Sequence, residues 1–279
     1  MRELVAAFGA RLPVTDPLPW LDAFSAEKWD FRAGRERNLA DSAQLTGTQQ
    51  SLVIDLAPAL GLSGQETPSR VDYDTVLMTG GMIRAGIVKP RHVASLLENG
   101  LRAKEVVFLG GFRHFAGDEL DLADALGIRG GDEFAAMVGG MEFAFGPLGD
   151  PVLEGDATWR RCSWGSLSVV AAPASDPARR ANSTDTYRFW AADRVPQRVL
   201  VVTTPIYVPY QGAAAAEILG LGYGHSVETV GTSASANDLG EFTQQFLPAH
   251  HLQELRSAIR AMRSLRAAAG ASARGAAPE

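Results

Sequence analysis

The chain has 279 residues, enough for one large domain or two small ones and for a sizeable buried core. Hydrophobic residues make up 46% and charged residues 21%, the ordinary balance of a soluble globular protein. A net charge of −6 argues against a nonspecific nucleic-acid binder, which needs a basic face, and a single cysteine, Cys162, excludes an intrachain disulfide and a thiolate zinc cluster.

The opening MRELVAAFGARLPVTDPLPW holds a short apolar stretch broken by Gly9, Arg11 and Pro13. It is too short and too interrupted for a signal segment or a membrane span, and no later run reaches about 18 uncharged apolar residues. The expectation is a cytoplasmic protein with no membrane partner. Asp16 and Pro17 start a helix through PWLDAF, and QQSLVIDLAPALGL has helical spacing broken at Pro58. The arginine-rich WDFRAGRERNLADSAQLTGT lies between them. Residues 1–70 therefore read as a helical extension packed on the main domain.

Residues 71–267 change pattern. YDTVLMTGG is an apolar run ending in two glycines, PRHVASLLENGL has helical spacing, and KEVVFLGG repeats the apolar run and the glycine pair. DELDLADALGI and DEFAAMVGGMEFAF are helical candidates. SLSVVAAPA, RVLVVTTPIY and HSVETVG read as further strands, with the helical VPYQGAAAAEILGLG between the last two. The turn-rich GPLGDPVLEGDATWRRCSWG is a long connection or a small inserted hairpin. Apolar strands alternating with helices predict an α/β, Rossmann-like fold, with a mostly parallel sheet of about five strands and helices on both faces. A long helix over residues 240–267 closes the domain. Leu252, Leu255, Ile259 and Met262 form its apolar stripe and Arg256, Arg260 and Arg263 its basic one, and residues 268–279 read as a disordered tail.

In such a sheet, ligands bind outside the carboxyl ends of the strands. Gly80, Gly81 and Arg84 follow the first strand; Gly110, Gly111, Arg113 and His114 follow the second, with Glu119 a turn later. The third strand leads into RRANSTDTYRFW, with Arg179, Arg180, Asn182, Ser183 and Asp185, and the fourth into Thr203, Thr204, Tyr207, Tyr210 and Gln211. Glycines let backbone N–H groups approach an anion, helix N-termini add their dipoles, and arginines supply paired donors. Together these predict a site for a small anionic ligand. Each piece also has a plain structural reading: the glycine pairs as tight turns, Asn182 and Ser183 as helix caps, Glu119 as a first-turn acid, and His114 as a packing residue. GxGxxG, GxxxxGK[ST], HExxH and GxSxG are all absent, and no metal site is expected. Cys162, with Arg160 and Arg161 beside it but away from the strand-end sets, reads as a structural thiol.

The order strand–GG–Arg, strand–GG with a later Glu, strand–Arg–Asn-x-x-Asp, strand–Thr-Thr-x-x-Tyr resembles the YdcF/SanA/ElyC family over roughly residues 72–232. The resemblance pairs that family's glycines with Gly80, Gly81, Gly110 and Gly111, and its acidic residue with Glu119. Its helix start falls on Asn182, Ser183, Thr184, Asp185 and Thr186, and its strand end on Val202, Thr203 and Thr204. Ser183, Asp185 and Thr186 depart from the family pattern, and Tyr207, Tyr210 and Gln211 stand where relatives carry a histidine and an arginine. The resemblance implies a Rossmann-like fold and a nucleotide-like or S-adenosylmethionine-like ligand.

Three functions are compatible with these features. One is an enzyme of metabolism acting on a small anionic metabolite, with Glu119, Asp185 and Tyr207 transferring protons and Arg84, Arg113 and Arg180 holding the anion. In this reading Arg37 and Asn38 close over the site. The second is a non-catalytic sensor using the same pocket, and the third an interaction module using the basic stripe of the last helix. A small-molecule partner, no nucleic acid, and an optional homo-oligomer complete the expectation.

Overall fold

A computed structural model describes residues 1–31, 44–117, 119–176 and 178–275. Three helices come first: α1 (Arg2–Ala7), α2 (Pro17–Lys28) and α3 (Gly47–Leu56). Pro17 opens α2, where a missing N–H costs nothing, and Thr46 and Gln49 form a reciprocal capping box on α3. The α/β part follows as β1 (Asp72–Thr79), α4 (Ile83–Glu98), β2 (Arg102–Gly110), α5 (Glu119–Ala125), α6 (Glu133–Phe145), β3 (Val152–Gly155), β4 (Arg160–Trp164) and β5 (Leu167–Ala171). It continues with α7 (Ser183–Ala191), β6 (Arg198–Thr203), a 3₁₀ turn (Pro205–Tyr207), α8 (Val208–Ala215), β7 (Ser226–Gly231), α9 (Ala234–Asn237) and α10 (Pro248–Gly275).

The strands form one sheet in the order β3-β4-β5-β2-β1-β6-β7. Five of them, β5-β2-β1-β6-β7, are parallel, and the continuous apolar runs of β1, β2, β5 and β6 are buried on both faces, whereas the edge strand β7 is mostly half-buried. This is a doubly wound arrangement, and it matches the Rossmann-like, mostly parallel sheet expected from the alternation. The sheet has seven strands rather than about five, because the turn-rich segment is a hairpin whose β4 pairs antiparallel with β5. Every residue of β3 is exposed, so the alternation that marks a half-buried strand is missing there.

Register sets the site. Met78 pairs with Phe108 and with Val202, Gly110 with Ala171, and Thr203 with Gly231. All five parallel strands therefore end at one level, and their following loops open on one edge. The chain reverses its direction of winding between β1 and β6, which places a crevice there.

Helix α4 packs against α6 at two glycines. A Cβ added at Gly140 would stand 1.9 Å from the Gly86 carbonyl oxygen. Pro90 has no N–H to offer that carbonyl four residues earlier, so Gly86 O is turned toward α6 instead of being bonded within α4. This close crossing fixes the start of α6 over the ends of β1 and β2.

The N-terminal helices share a core with α10. Leu4, Val5, Leu21, Phe24, Trp29 and Val53 pack with Leu252, Leu255 and Ile259. Arg256 reaches Asp22 at 2.6 Å, and Arg263 also pairs with Asp22. The apolar stripe thus packs as expected, except for Met262, which is exposed. Helix α10 starts at Pro248, a residue suited to a first turn, rather than near 240. It runs on through the alanine-rich sequence to Gly275, into the segment expected to be disordered.

Candidate active site

A cavity of about 520 Å³ lies over the C-terminal edge of the sheet. Gly80, Gly81, Arg84, Gly110, Gly111 and Arg113 line it from the β1 and β2 side. Glu119, Arg180, Asn182 and Ser183 join them from the loops beside β2 and β5. Thr204, Tyr207, Tyr210 and Gln211 complete the wall from the β6 side. The loops predicted to converge do so. Two predicted residues stand back from the cavity: Thr203 is fully buried beneath it, accepting a hydrogen bond from the Thr79 hydroxyl at 3.0 Å, and Asp185 is turned into its own helix. Arg37 and Asn38 lie outside the described residues.

Glu119 and Asp185, the two carboxylates expected to move protons, are each held by an arginine. Arg113 donates to both oxygens of Glu119, at 2.6 and 2.7 Å, and the Ala116 N–H donates at 3.0 Å. Burial alone pushes the Glu119 carboxyl up, but these donors and the Ile83 N–H outweigh it and hold the group below the usual range. Glu119 thereby binds the start of α4, whose cap residue Met82 supplies no side-chain acceptor. Asp185 takes the Asn182 N–H at 3.0 Å, Asn182 takes the Asp185 N–H at 3.1 Å, and Arg179 donates to Asp185 at 2.5 and 3.1 Å. For Asp185 too, the paired charge and donors overcome burial and lower the carboxyl. Both acids act as anchors for helix starts.

The floor of the cavity is built by two residues that the sequence reading passed over, Glu133 and Lys89. Glu133 is the first residue of α6, capped by Asp132, and its own N–H donates to Arg113 O at 2.8 Å. Its carboxylate lies against both glycine pairs. A Cβ at Gly80 would stand 2.4 Å from Glu133 Oε1, and one at Gly110 3.2 Å from the same atom. The glycines are thus needed to admit a carboxylate of the protein itself. Burial raises the Glu133 carboxyl, against the opposing charges of Arg180, Arg113 and Lys89 and the Gly81 N–H.

Lys89, fully buried in α4, approaches the same turn from behind. Its Nζ donates to Thr79 O at 2.5 Å, Gly80 O at 3.0 Å and Thr79 Oγ1 at 3.1 Å. Burial pushes the ammonium down to about 7, with the Glu133 charge pulling the other way. A signal for both residues was present. Glu133 opens the second helical stretch after the second glycine pair, and helices in this fold begin at or near the ligand edge. Lys89 is a lone cation inside the buried stretch Gly86–Pro90.

The remaining walls are polar on one side and ringed on the other. Arg84 Nε donates to Phe242 O at 2.6 Å, tying the segment after β7 to the start of α4. Gln211 takes the Tyr187 hydroxyl at 2.9 Å and gives its amide to Ser183 Oγ at 2.8 Å, which joins α8 to α7. His114 is exposed and away from the cavity, its backbone bridged to Asp132. Cys162 is buried in β4, and burial pushes its thiol up to about 11, in keeping with a structural role. Among the described residues no helix is long and apolar enough to cross a membrane.

Comparison with known proteins places the chain elsewhere than the resemblance did. The Rv3785 N-terminal domain matches residues 1–61. Uncharacterized protein Rv3785 of Mycobacterium tuberculosis (strain H37Rv) is 30% identical over 308 aligned residues, covering 95% of this chain and 85% of its own. Uncharacterized protein Mb3814 of Mycobacterium bovis aligns with the same identity and coverage. No solved structure matches. The resemblance to the YdcF/SanA/ElyC family is therefore corrected, and the ligand it implied loses that support. Its glycine pairs, arginines and capped helix start are what any parallel sheet needs where strands turn into helices, so they do not discriminate between families. The chain belongs to the family of the mycobacterial protein Rv3785.

Proposed function

We propose that the protein is an enzyme acting on a small anionic metabolite in the strand-end cavity, with Glu133 as its proton-transferring group. The observation that carries this reading is the Glu133 carboxyl, buried on the floor of a 520 Å³ cavity and pushed upward by burial. A carboxyl raised by burial is a stronger base than a free one, whereas a carboxylate clamped by arginine holds its charge and resists protonation. The ligand's anionic group belongs at the α7 side. Arg180 lines the cavity there, and α7 begins with the N–H groups of Ser183 and Thr184, which lie ahead of the Asn182–Asp185 capping bonds and have no partner within the helix. The N–H groups of Gly81 and Ile83 already serve Glu133 and Glu119, so the α4 side is the weaker anion site. Arg84 closes the opposite rim. Lys89 keeps the Gly80 carbonyl turned inward and leaves the glycine turn open to Glu133. A cytoplasmic setting accords with these features.

Thermal-shift screening with inorganic phosphate, sugar phosphates and small dicarboxylates, followed by mass spectrometry for product, tests the proposal. The expected result is stabilisation by one of these anions, lost in Arg180→Ala. Turnover of the bound compound should be lost in Glu133→Gln with binding retained. If no phosphate or carboxylate shifts the melting temperature, the anion reading fails; if turnover survives Glu133→Gln, the catalytic assignment fails.

A further inference from the structure

Half of the cavity is not used by the anion site. Along the strand order, polar groups rise from the ends of β5, β2 and β1. Past β6 rings enter the wall beside the polar Gln244 and Glu254: Tyr207 at the end of the 3₁₀ turn, Phe246 before α10, and His251 in its first turn. Tyr207 meets Phe246 edge to face, with centroids 6.5 Å apart at 82°, and Phe246 meets His251 in the same way at 6.5 Å and 85°. These rings are supported from behind. Tyr207 and Phe246 pack on the core that the N-terminal helices share with α10, and Leu62 at the end of that segment also lines the cavity. The Arg84 bond to Phe242 O holds the approach to Phe246 in place.

A wall of rings braced in this way keeps its shape and presents aromatic surface to a cavity instead of burying it. Ligand pockets combine such apolar walls with a few fixed polar groups, and this cavity falls within the roughly 300–1,000 Å³ typical of single small ligands. Resting on the anion reading above, we infer that Tyr207, Phe246 and His251 form a ring-binding subsite. The ligand is then a phosphate ester with a planar ring: its phosphate sits by Arg180 and the start of α7, and its ring against Phe246. The base of a mononucleotide and the aryl group of an aryl phosphate share this chemistry. The part of the chain that matches the family's N-terminal domain, residues 1–61, supplies most of the core that backs the rings, so the subsite gives that segment a function.

Calorimetric titration of the full chain with inorganic phosphate, ribose 5-phosphate, phenyl phosphate and adenosine 5′-monophosphate tests this. Phenyl phosphate is expected to bind about tenfold tighter than ribose 5-phosphate, the gap that one well-packed ring contact supplies. In Phe246→Leu, which nearly keeps the volume, the gap should fall to roughly threefold or less. The wild-type comparison needs no variant to fold, and His251→Ala, at the half-buried start of α10, provides a second one. Adenosine monophosphate binding more tightly than phenyl phosphate assigns a nucleotide; the reverse assigns an aryl ester; both uphold the subsite. Equal affinities for phenyl and ribose phosphates, or a gap unchanged in both variants, overturn the subsite and leave the anion site standing. Absence of binding by every phosphate probe overturns this inference, and the dicarboxylate arm of the preceding screen then decides whether the anion reading survives.

Discussion

Glu119 and Glu133 are both buried at the same edge of the sheet and both line the same cavity, but they are held in opposite ways. Glu119 receives two arginine N–H groups and a backbone N–H, and its carboxyl is lowered. Glu133 lies under two glycine pairs, and burial raises it. The two differ in partners as well as in how deeply the carboxyl is set. A buried carboxylate with bidentate arginine donors is a structural anchor, whereas one without such a clamp, raised by burial, takes up a proton more readily. Asp185, paired with Arg179, behaves like Glu119.

Removing an anchor should cost the most. Glu119→Ala leaves the Arg113 charge largely buried without its carboxylate and takes an acceptor from the start of α4. A loss of about 3–4 kcal/mol is expected, read by urea unfolding. Gly140→Ala should come next, at about 2–3 kcal/mol, because its methyl would collide with the Gly86 carbonyl oxygen. That substitution shifts α6, and with it Glu133, without touching the cavity. A parallel loss of anion binding would show that the helix crossing sets the floor.

Asp185→Asn should cost about 2 kcal/mol near neutral pH, since Arg179 is partly exposed and the amide retains some capping. The Asp185 carboxyl is lowered on folding, so its contribution is present above the unfolded value and is lost as pH falls through the folded one. The variant should therefore approach wild type in acid, and denaturation at pH 7 and pH 3 measures the convergence. Glu133→Gln should have the smallest effect, within about 1 kcal/mol, and its sign depends on pH. The folded carboxyl is raised, so wild-type stability falls as pH rises through that raised value, and the glutamine variant is spared the loss. The variant should gain on wild type toward alkaline pH; a gap that does not vary with pH would remove Glu133 from the proposed role.

The mostly parallel sheet and the convergence of its loops were legible because apolar runs and helical periodicity are local signals; the spatial order of the strands was not read. The β3–β4 hairpin was ambiguous because its outer strand is wholly exposed and carries no alternation. Within the site, the glycine pairs, Arg180, Asn182, Tyr207 and Tyr210 line the cavity, because each lies in a segment that leaves the carboxyl end of a strand. Which acid would be paired could not be read, since the Arg113–Glu119 contact depends on how one loop folds back on itself. Glu133 escaped for a related reason. It is distant in sequence from the glycines that receive it, and only the Gly86–Gly140 crossing brings α6 over them. The aromatic wall needed α10 to fold back onto the 3₁₀ turn after β6, a contact that no local pattern encodes. Family resemblance failed where the motifs were those of the fold itself.

The comparison of the two acids can be measured in one experiment: a carbon-13 NMR titration of the glutamate side-chain carboxyls, assigned with Glu119→Gln and Glu133→Gln. The account predicts that Glu133 titrates above the ordinary glutamate range and Glu119 below it, in the same sample. Glu133 titrating at or below the ordinary range, with Glu119 unshifted or raised, would contradict it.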